Sequence, residues 1–217
     1  MKTVKFLFVL LFILSTPLQL FGRVTESAEN LLRIIHKVNR HWQENNSPQV
    51  RSFWDNAAYH TGNMEVYELT GNTAYLKYST DWAEYNHWKG AASDNKAEWR
   101  YGYGETPQYV LFGDWQCCFQ TYADLYGIRG DDRRIARARE VLEYQMGTDK
   151  NDYWWWADGL YMVMPVMTKL YRITKNPLYL EKLYEYFSYA DSVMYDPEAG
   201  LYYRDGSFVY PRHSILG

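Results

Sequence analysis

Three aspartates occupy corresponding places along the chain, each at the start of a stretch with helical periodicity. Asp55 lies in WDNAAYHTG (54–62), Asp114 in GDWQCCFQTYADLY (113–126) and Asp158 in YWWWADGLYMVMP (153–165). A carboxyl group can give a proton to a reacting atom and take one from water, so acids brought together predict acid–base catalysis. Aspartate also caps helix amino ends by accepting backbone N–H bonds. For any one of the three, capping is the simpler interpretation.

The segments that lead into two of these aspartates are rich in aromatic residues. They read WRYGYGETPQYVLF (99–112) and DKNDYWWW (149–156). Tryptophan and tyrosine combine an apolar ring face with a polar donor, which suits stacking against sugar rings. Loops at one end of a helical ring are also where binding groups usually lie. Core filling is the alternative, and we expect it to account for most of the 22 Tyr and 9 Trp.

The elements that must position these residues are helices. Apolar residues recur at three- and four-residue steps, which is typical of amphipathic helices. No convincing alternation of period two appears before Tyr195. The predicted helices cover residues 25–44, 54–70, 73–88, 114–126, 132–146, 156–174 and 177–194. The sequence therefore predicts an all-α fold.

An internal repeat organises these helices. VYELTGNTAYL (66–76), LYGIRGDDRRI (125–135) and LYRITKNPLYL (170–180) share an apolar-Tyr start, a turn with Gly, Asn or Asp, and a new helix. Unequal helical hairpins of this length favour an (α/α)6 toroid, in which inner helices line a central cavity and outer helices wrap them. In this register all three aspartates begin inner helices. We therefore expect them to gather on one rim of the cavity.

The first 22 residues predict a secretory signal peptide. Lys2 and Lys5 precede an apolar run from Phe6 to Leu14, with a plausible cleavage point after Gly22. The apolar run is shorter than the roughly 20 residues that a spanning helix needs. We therefore expect a protein exported to the periplasm or beyond the cell, with residues 23–217 forming a partial catalytic domain and no stable membrane span.

Charge and cysteine content disfavour several classes of function. Without Lys2 and Lys5 the chain has 21 basic and 26 acidic side chains, a balance that argues against a nucleic-acid partner. The only two cysteines, Cys117 and Cys118, are adjacent in an apolar helical pattern, which predicts buried thiols. A metal site would want spaced partners. We expect no metal and no cofactor.

Four segments together resemble the unsaturated rhamnogalacturonyl hydrolases of glycoside hydrolase family 105, relatives of the family 88 unsaturated glucuronyl hydrolases. They are WDNAAYHTG (54–62), GDWQCCFQTYADLY (113–126), WWWADGLYMVMPVMTKLYRITKNPLYL (154–180) and MYDPEAGLYYRD (194–205). The resemblance implies an α6/α6 barrel that removes an unsaturated uronic acid from oligosaccharides made by polysaccharide lyases. In that chemistry an acid protonates C4 of the C4=C5 vinyl ether, water adds at C5, and the resulting hemiketal opens and releases the aglycone.

The resemblance also implies roles for particular residues. Asp158 matches the acid/base position and Asp114 a second carboxylate that binds substrate hydroxyls. The helix amino end favours charged Asp158, whereas desolvation by residues 154–156 and the charge of Asp114 are expected to favour the neutral acid. Tyr59 and His60 resemble positions that line the sugar subsite, whereas Trp115, Gln116 and Trp156 flank the two acids and are expected to stack on or hydrogen-bond the uronate ring. For His60 a purely structural role is the alternative.

The length fits only about the first half of such a ring. Six hairpins at these repeat steps need on the order of 300 residues, so we expect a carboxyl-terminally truncated member of the family that lacks the later W-[SA]-R-G-[ND]-G-W type segment. Three alternatives stay open: a non-catalytic helical-repeat protein that binds carbohydrate, an inactive fragment of such a hydrolase, and a conventional two-carboxylate glycosidase or an epimerase on the same fold.

Overall fold

A computed structural model describes residues 27–209, which fall into two compact units. The described part of the first unit is a helix, α1, over residues 27–45, where residues 25–44 were predicted. Residues 1–22 lie outside the described residues, so the signal peptide stays a prediction. Among residues 27–209 no helix combines the length and the apolar character needed to cross a membrane.

The second unit begins at Pro48 and is almost wholly helical. Its longer helices are α2 (Trp54–Thr70), α3 (Thr73–Tyr85), α5 (Cys118–Ile128), α6 (Arg133–Met146), α7 (Ala157–Thr174) and α8 (Leu178–Met194). Its short elements are the helices α4 (Gly113–Gln116) and α9 (Gly206–Val209), the 3₁₀ turns Lys96–Glu98 and Asp152–Trp154, and the strands β1 (Tyr195–Asp196) and β2 (Leu201–Tyr202). The predicted all-α class is confirmed.

Three helical hairpins stand side by side. Helices α2 and α3, α5 and α6, and α7 and α8 pack as antiparallel pairs, while α2 packs on α5 and α5 on α7. The first helices of the hairpins thus form an inner row, and α3, α6 and α8 form an outer layer. This is the arrangement predicted for part of an α/α toroid, and it directs the amino ends of all inner helices to one side.

The repeated turn has a common physical basis. At equivalent positions Asn72, Asp131 and Asn176 each accept a hydrogen bond through Oδ1 from the backbone N–H two residues later. Such Asx turns start the next helix. Gly71 and Lys175 end the preceding helices in the left-handed conformation, at φ of 66° and 60°. The repeat in the sequence therefore encodes the reversal between inner and outer helices.

A proline inside α7 is accommodated by the neighbouring inner helix. Pro165 has no backbone N–H, so the carbonyl of Tyr161 loses its helical donor. The side-chain Nε2 of Gln120, on α5, donates to this carbonyl at 2.9 Å and to the carbonyl of Met162 at 3.1 Å. A buried carbonyl left without a donor would be destabilising. Gln120 thus joins α5 to α7 just below the amino end that carries Asp158.

Two of the predicted helices differ from the structure by more than a shift of one or two residues at an end. The helix predicted to reach Trp88 ends at Tyr85, because His87 and Trp88 adopt left-handed φ angles of 52° and 58°. The helix predicted over 114–126 is divided into α4 and α5 at Cys117, whose φ of −53° and ψ of −37° remain helical. The second difference therefore changes the hydrogen bonding more than the path of the chain.

Candidate active site

The three aspartates lie in the first turns of inner helices, as predicted, but none of them is the capping residue. The N-caps are Phe53, Phe112 and Trp156, none with a side-chain capping bond, and each aspartate comes two residues later. The capping interpretation is therefore wrong for all three. The carboxyl groups of Asp114 and Asp158 are therefore not engaged as caps at the positive ends of their helices, whereas Oδ1 of Asp55 accepts from the backbone N–H of Asn56 at 2.9 Å.

Two of the aspartates open into one cavity of about 320 Å³. Its charged residues are Asp114, Asp158 and Arg204. Its aromatic lining comes from Trp54, Tyr103, Phe112, Trp155, Trp156 and Tyr161. Asp55 does not line this cavity, and its Oδ2 lies 3.4 Å from Nη2 of Arg51. The expectation of a shared rim thus holds for Asp114 and Asp158, with an aromatic wall around them.

The two acids differ in environment. Asp114 is buried, with 6% of its surface exposed, and its Oδ1 has no hydrogen-bond partner among the described residues. Burial, and then the negative charges of Asp158, Glu105 and Asp55, raise the pKa of Asp114 to about 7. Asp158 is exposed. The expectation that Asp158 is the desolvated acid is therefore wrong, because the tryptophans before it do not bury it.

Trp156 is the predicted binding residue that does line the cavity. It is buried, packs against Phe112 with ring centroids 4.9 Å apart, and contacts Trp155 at the same centroid distance. Glycine at position 113 makes room for it, since a Cβ there would lie 3.0 Å from Cη2 of Trp156. The close approach of Trp156 to this backbone holds the amino ends of α4 and α7 together, and with them the two acids.

Trp115 and Gln116 were predicted to contact the substrate, and the structure places both elsewhere. Trp115 is buried and its Nε1 donates to the carbonyl of Gly104 at 3.2 Å, which holds the loop before α4. Gln116 is buried as well, and its Nε2 donates to Oε1 of Gln145 on the outer helix α6 at 3.0 Å. On a helix, successive side chains diverge by about 100°, so the neighbours of Asp114 point away from the cavity.

Tyr59 and His60 were also predicted to line the sugar site, and neither lines the cavity that holds the two acids. His60 is buried, stacks on Trp82 of the outer helix α3 at 3.9 Å, and has its Nδ1 3.0 Å from Oγ of Ser79. Burial lowers the pKa of His60 to about 3, so the ring is neutral. Tyr59 packs edge-on against His60. His60 therefore joins the inner helix α2 to the outer helix α3, which is the purely structural role given above as the alternative.

Three of the lining residues that were missed follow a simple helical rule. Residues three and four positions after an inward-facing residue share its helix face. The cavity accordingly receives Cys117 three residues after Asp114, and Tyr161 and Met162 three and four residues after Asp158. Arg204 carries no such signal, since it comes from the segment after the β-hairpin. Its position depends on long-range pairing that periodicity does not reveal.

Cys117 forms part of the cavity wall as a buried free thiol, and Cys118 is buried too, which confirms the prediction for both. Burial, with the charge of Asp114, raises the pKa of Cys117 to about 12. Such a thiol is a poor nucleophile and metal ligand. Within residues 27–209 no group of three or more His, Cys, Asp or Glu is arranged to hold a metal ion.

Comparison with known proteins places this chain in a family. The model of glycosyl hydrolase family 88 matches residues 28–215. A curated unsaturated 3S-rhamnoglycuronyl hydrolase from Formosa agariphila is 26% identical over 163 residues, which are 72% of this chain and 41% of that protein.

Two of the solved structures that are similar to this chain share about 70% of its residues. One is a glycosyl hydrolase family 88 protein from Bacteroides vulgatus, 69% identical with a TM-score of 0.84, covering 85% of this chain and 53% of that one. The other, described as a polysaccharide lyase, is 70% identical with a TM-score of 0.83, covering 86% of this chain and 53% of that one. This chain thus spans about half the length of these solved relatives. It belongs to glycosyl hydrolase family 88.

Proposed function

We propose that the whole protein is a glycosidase that removes a 4,5-unsaturated uronic acid from the non-reducing end of lyase-generated oligosaccharides. The observation that carries the proposal is the pair of unlike carboxyl groups, buried Asp114 and exposed Asp158, at adjacent inner-helix amino ends in one aromatic-walled cavity. Family membership and the name of the Formosa relative support the same class of reaction.

Asp158 is the proposed acid and base of the reaction. Its exposed carboxyl group gives a proton to C4, the π electrons form the new C4–H bond, and the ring oxygen stabilises the cation left at C5. The carboxylate then takes a proton from the water that adds to C5. The hemiketal opens to a C5 ketone and releases the aglycone from C1. One carboxyl group performs both transfers, unlike the two needed for ordinary glycoside hydrolysis.

Asp114 is proposed to position the sugar and to hold a second proton. With a pKa of about 7, Asp114 is partly neutral near pH 7, so the two acids do not both carry a full charge. Its carboxyl group lines the cavity, where it can bond a sugar hydroxyl, and its buried Oδ1 has no partner among the described residues. A carboxyl group buried without a partner destabilises a fold, and perturbed acids in a cleft are typical of catalytic sites.

The aromatic lining is proposed to bind the sugar rings. Trp54 and Tyr161 expose 45% and 51% of their surface and line the cavity beside Trp155 and Trp156. Their faces suit stacking on the apolar faces of a pyranose. We propose unsaturated galacturonyl-rhamnose units of rhamnogalacturonan as the substrate, since the sequence resembles hydrolases of that sugar.

The non-catalytic carbohydrate-binding alternative predicts the same aromatic wall. It gives no reason to bury an unpartnered carboxyl group beside a second one, so the cavity favours the enzyme. Turnover separates the two functions directly. Recombinant protein is incubated with unsaturated galacturonyl-rhamnose and with its saturated counterpart, and aglycone release is measured. We expect release from the unsaturated disaccharide alone. Equal release from both would indicate a conventional glycosidase, and binding without release would indicate the alternative.

A further inference from the structure

The loop before α4, called here the aromatic loop (residues 99–112), contributes Tyr103 to the wall of the cavity that holds the two acids. The base of the loop is closed by a hydrogen bond from the backbone N–H of Arg100 to the carbonyl of Gln108 at 2.9 Å. The tip beyond this bond carries both Tyr103 and Glu105. The contacts of the tip therefore decide where the ring of Tyr103 lies in the cavity wall.

Glu105 is held by Arg51, which comes from the segment just before α2. Oε2 of Glu105 accepts from Nη1 of Arg51 at 2.5 Å, and Oε1 accepts from the hydroxyl group of Tyr103 at 3.4 Å. Nη2 of Arg51 lies 3.4 Å from Oδ2 of Asp55, in the first turn of α2. One guanidinium group thus clamps the tip of the aromatic loop to the amino end of an inner helix.

Aromatic packing joins the same clamp to the turn that carries the buried acid. Cζ of Arg51 lies 4.6 Å from the centre of the Phe53 ring, and Phe53 packs against Trp115 with ring centroids 4.7 Å apart. Nε1 of Trp115 donates to the carbonyl of Gly104, in the tip of the loop, at 3.2 Å. Because Trp115 directly follows Asp114 in the chain, these contacts fix the tip relative to Asp114.

Charged groups surround Asp114 on four segments of the described chain. They are Asp55 on α2 with Arg51 just before it, Glu105 on the aromatic loop, Asp158 on α7, and Arg204 after the β-hairpin. On the segment of Asp114 itself, the buried thiol of Cys117 is neutral. Burial comes first among the causes that raise the pKa of Asp114 to about 7, followed by the charges of Asp158, Glu105 and Asp55. Glu105 is therefore a charge whose position the clamp sets.

We propose that Glu105 is a positioning residue for the reaction: clamped by Arg51, it keeps the ring of Tyr103 in the cavity wall and places a negative charge near Asp114. This inference rests on the proposed function. The first effect acts on sugar binding, because the ring of Tyr103 loses its place when the clamp opens. The second effect favours the neutral form of Asp114, which does not repel the carboxylate of Asp158.

The test uses two variants that open the same clamp but differ in charge. Glu105→Gln and Arg51→Gln should each raise KM for unsaturated galacturonyl-rhamnose by about 2- to 10-fold, the range expected for one lost aromatic contact. The double variant should be no worse than either single variant, because the clamp is already open.

The pH profile separates the charge from the clamp. Wild-type kcat/KM should fall as pH rises through the pKa of Asp114, because the neutral form is lost. Glu105→Gln should move this fall to lower pH, since it removes a negative charge. Arg51→Gln keeps that charge and should not move the fall to lower pH. Glu105→Asp keeps the charge on a shorter side chain, so it should raise KM and retain the wild-type profile.

Glu143→Gln is the matched control. Glu143 lies on the outer helix α6, pairs with Arg139 at 3.2 Å and accepts from the hydroxyl group of Tyr179 at 3.1 Å. Its side chain is 45% exposed, against 44% for Glu105. It thus has the same kinds of partner at a distance from the cavity, and the control should change neither KM nor the pH profile.

The outcomes separate the two proposals. Unchanged KM in both clamp variants, or the same pH shift in Glu105→Gln and Arg51→Gln, would overturn the role of Glu105 and leave the proposed function in place. Should Glu105→Gln fail to fold, as seen by circular dichroism, KM of Glu105→Asp and Arg51→Gln decides.

If wild type does not turn over the disaccharide, the proposed function fails, and urea unfolding then tests the role of Glu105. The stability gained by Asp114→Asn should level off at lower pH in a Glu105→Gln background than in the wild-type background. A plateau that begins at the same pH in both backgrounds would overturn the inference.

Discussion

Replacement of Asp114 with Asn is predicted to stabilise the fold at neutral and alkaline pH while it removes activity. Asp114 is buried, its Oδ1 lacks a partner among the described residues, and its pKa is raised from 3.8 to about 7. The fold therefore favours the neutral acid and is destabilised once the carboxylate forms. Asparagine has nearly the same shape and never carries the charge.

The size and direction of the effect follow from the pKa. Between pH 3.8 and about 7 the folded state binds more protons than the unfolded state, so wild-type stability falls as pH rises and levels off above about pH 7. The difference of about three pH units, at about 1.36 kcal/mol each, corresponds to roughly 4 kcal/mol. Water in the open cavity and the polar amide of asparagine reduce the gain, and we expect about 2–3 kcal/mol. That is roughly 5–10 °C in Tm for a chain of this size.

The assay is urea unfolding of wild type and Asp114→Asn at a series of pH values from 4 to 9. The two proteins should be equally stable near pH 4, and the variant should gain steadily until about pH 7. Asp158→Asn should shift the wild-type transition to lower pH, because it removes a neighbouring charge. The exposed Asp149→Asn serves as the control and should change little. An advantage of Asp114→Asn that is absent at pH 8, or that grows towards acid pH, would refute this reasoning.

Three further predictions test the packing at Gly113 and the structural roles of His60 and Cys117. Gly113→Ala should destabilise by about 1–3 kcal/mol, because its Cβ would meet Trp156 at 3.0 Å, whereas Gly62→Ala, with nothing within 4 Å, should be neutral or stabilising in urea unfolding. His60→Phe should leave KM unchanged. Wild type loses stability as pH falls from 6.5 towards 3 because the unfolded chain protonates His60, and the variant should lose less over this range. A raised KM would instead indicate that His60 contacts the substrate. Cys117, with its pKa raised to about 12, should resist alkylation by iodoacetamide at pH 8 in the folded protein, and rapid labelling seen by mass spectrometry would contradict its burial.

The sequence predicts the helices and the shared rim of Asp114 and Asp158 because both depend on local patterns. Helical periodicity locates each element, and the Asx residues of the repeated turn fix where each hairpin reverses. Nearly equal spacing from these turns then places the acids at the same ends of parallel inner helices. Such information lies within about 20 residues of each aspartate.

The direction in which an individual side chain points depends on tertiary packing, and for some of the predicted binding residues the prediction was wrong. Gln116 and His60 are close to inner-facing residues in sequence, yet the turn of the helix directs them to the outer layer. The burial of Asp114 and the exposure of Asp158 differ because neighbouring chain segments cover only one of them. The approach of Arg204 depends on a β-bridge from Asp205 to Trp156, 49 residues earlier in the printed sequence, which no local pattern announces.

The most direct test of the account follows two signals from the same reaction: the loss of the C4=C5 absorbance and the release of rhamnose from unsaturated galacturonyl-rhamnose. If Asp158 protonates the double bond, the two initial rates are equal, and Asp158→Asn lowers both by about 10²- to 10⁴-fold while disaccharide affinity stays within a few-fold. Rhamnose release that leaves the double bond in the freed uronic acid, or full activity in Asp158→Asn, would contradict the account.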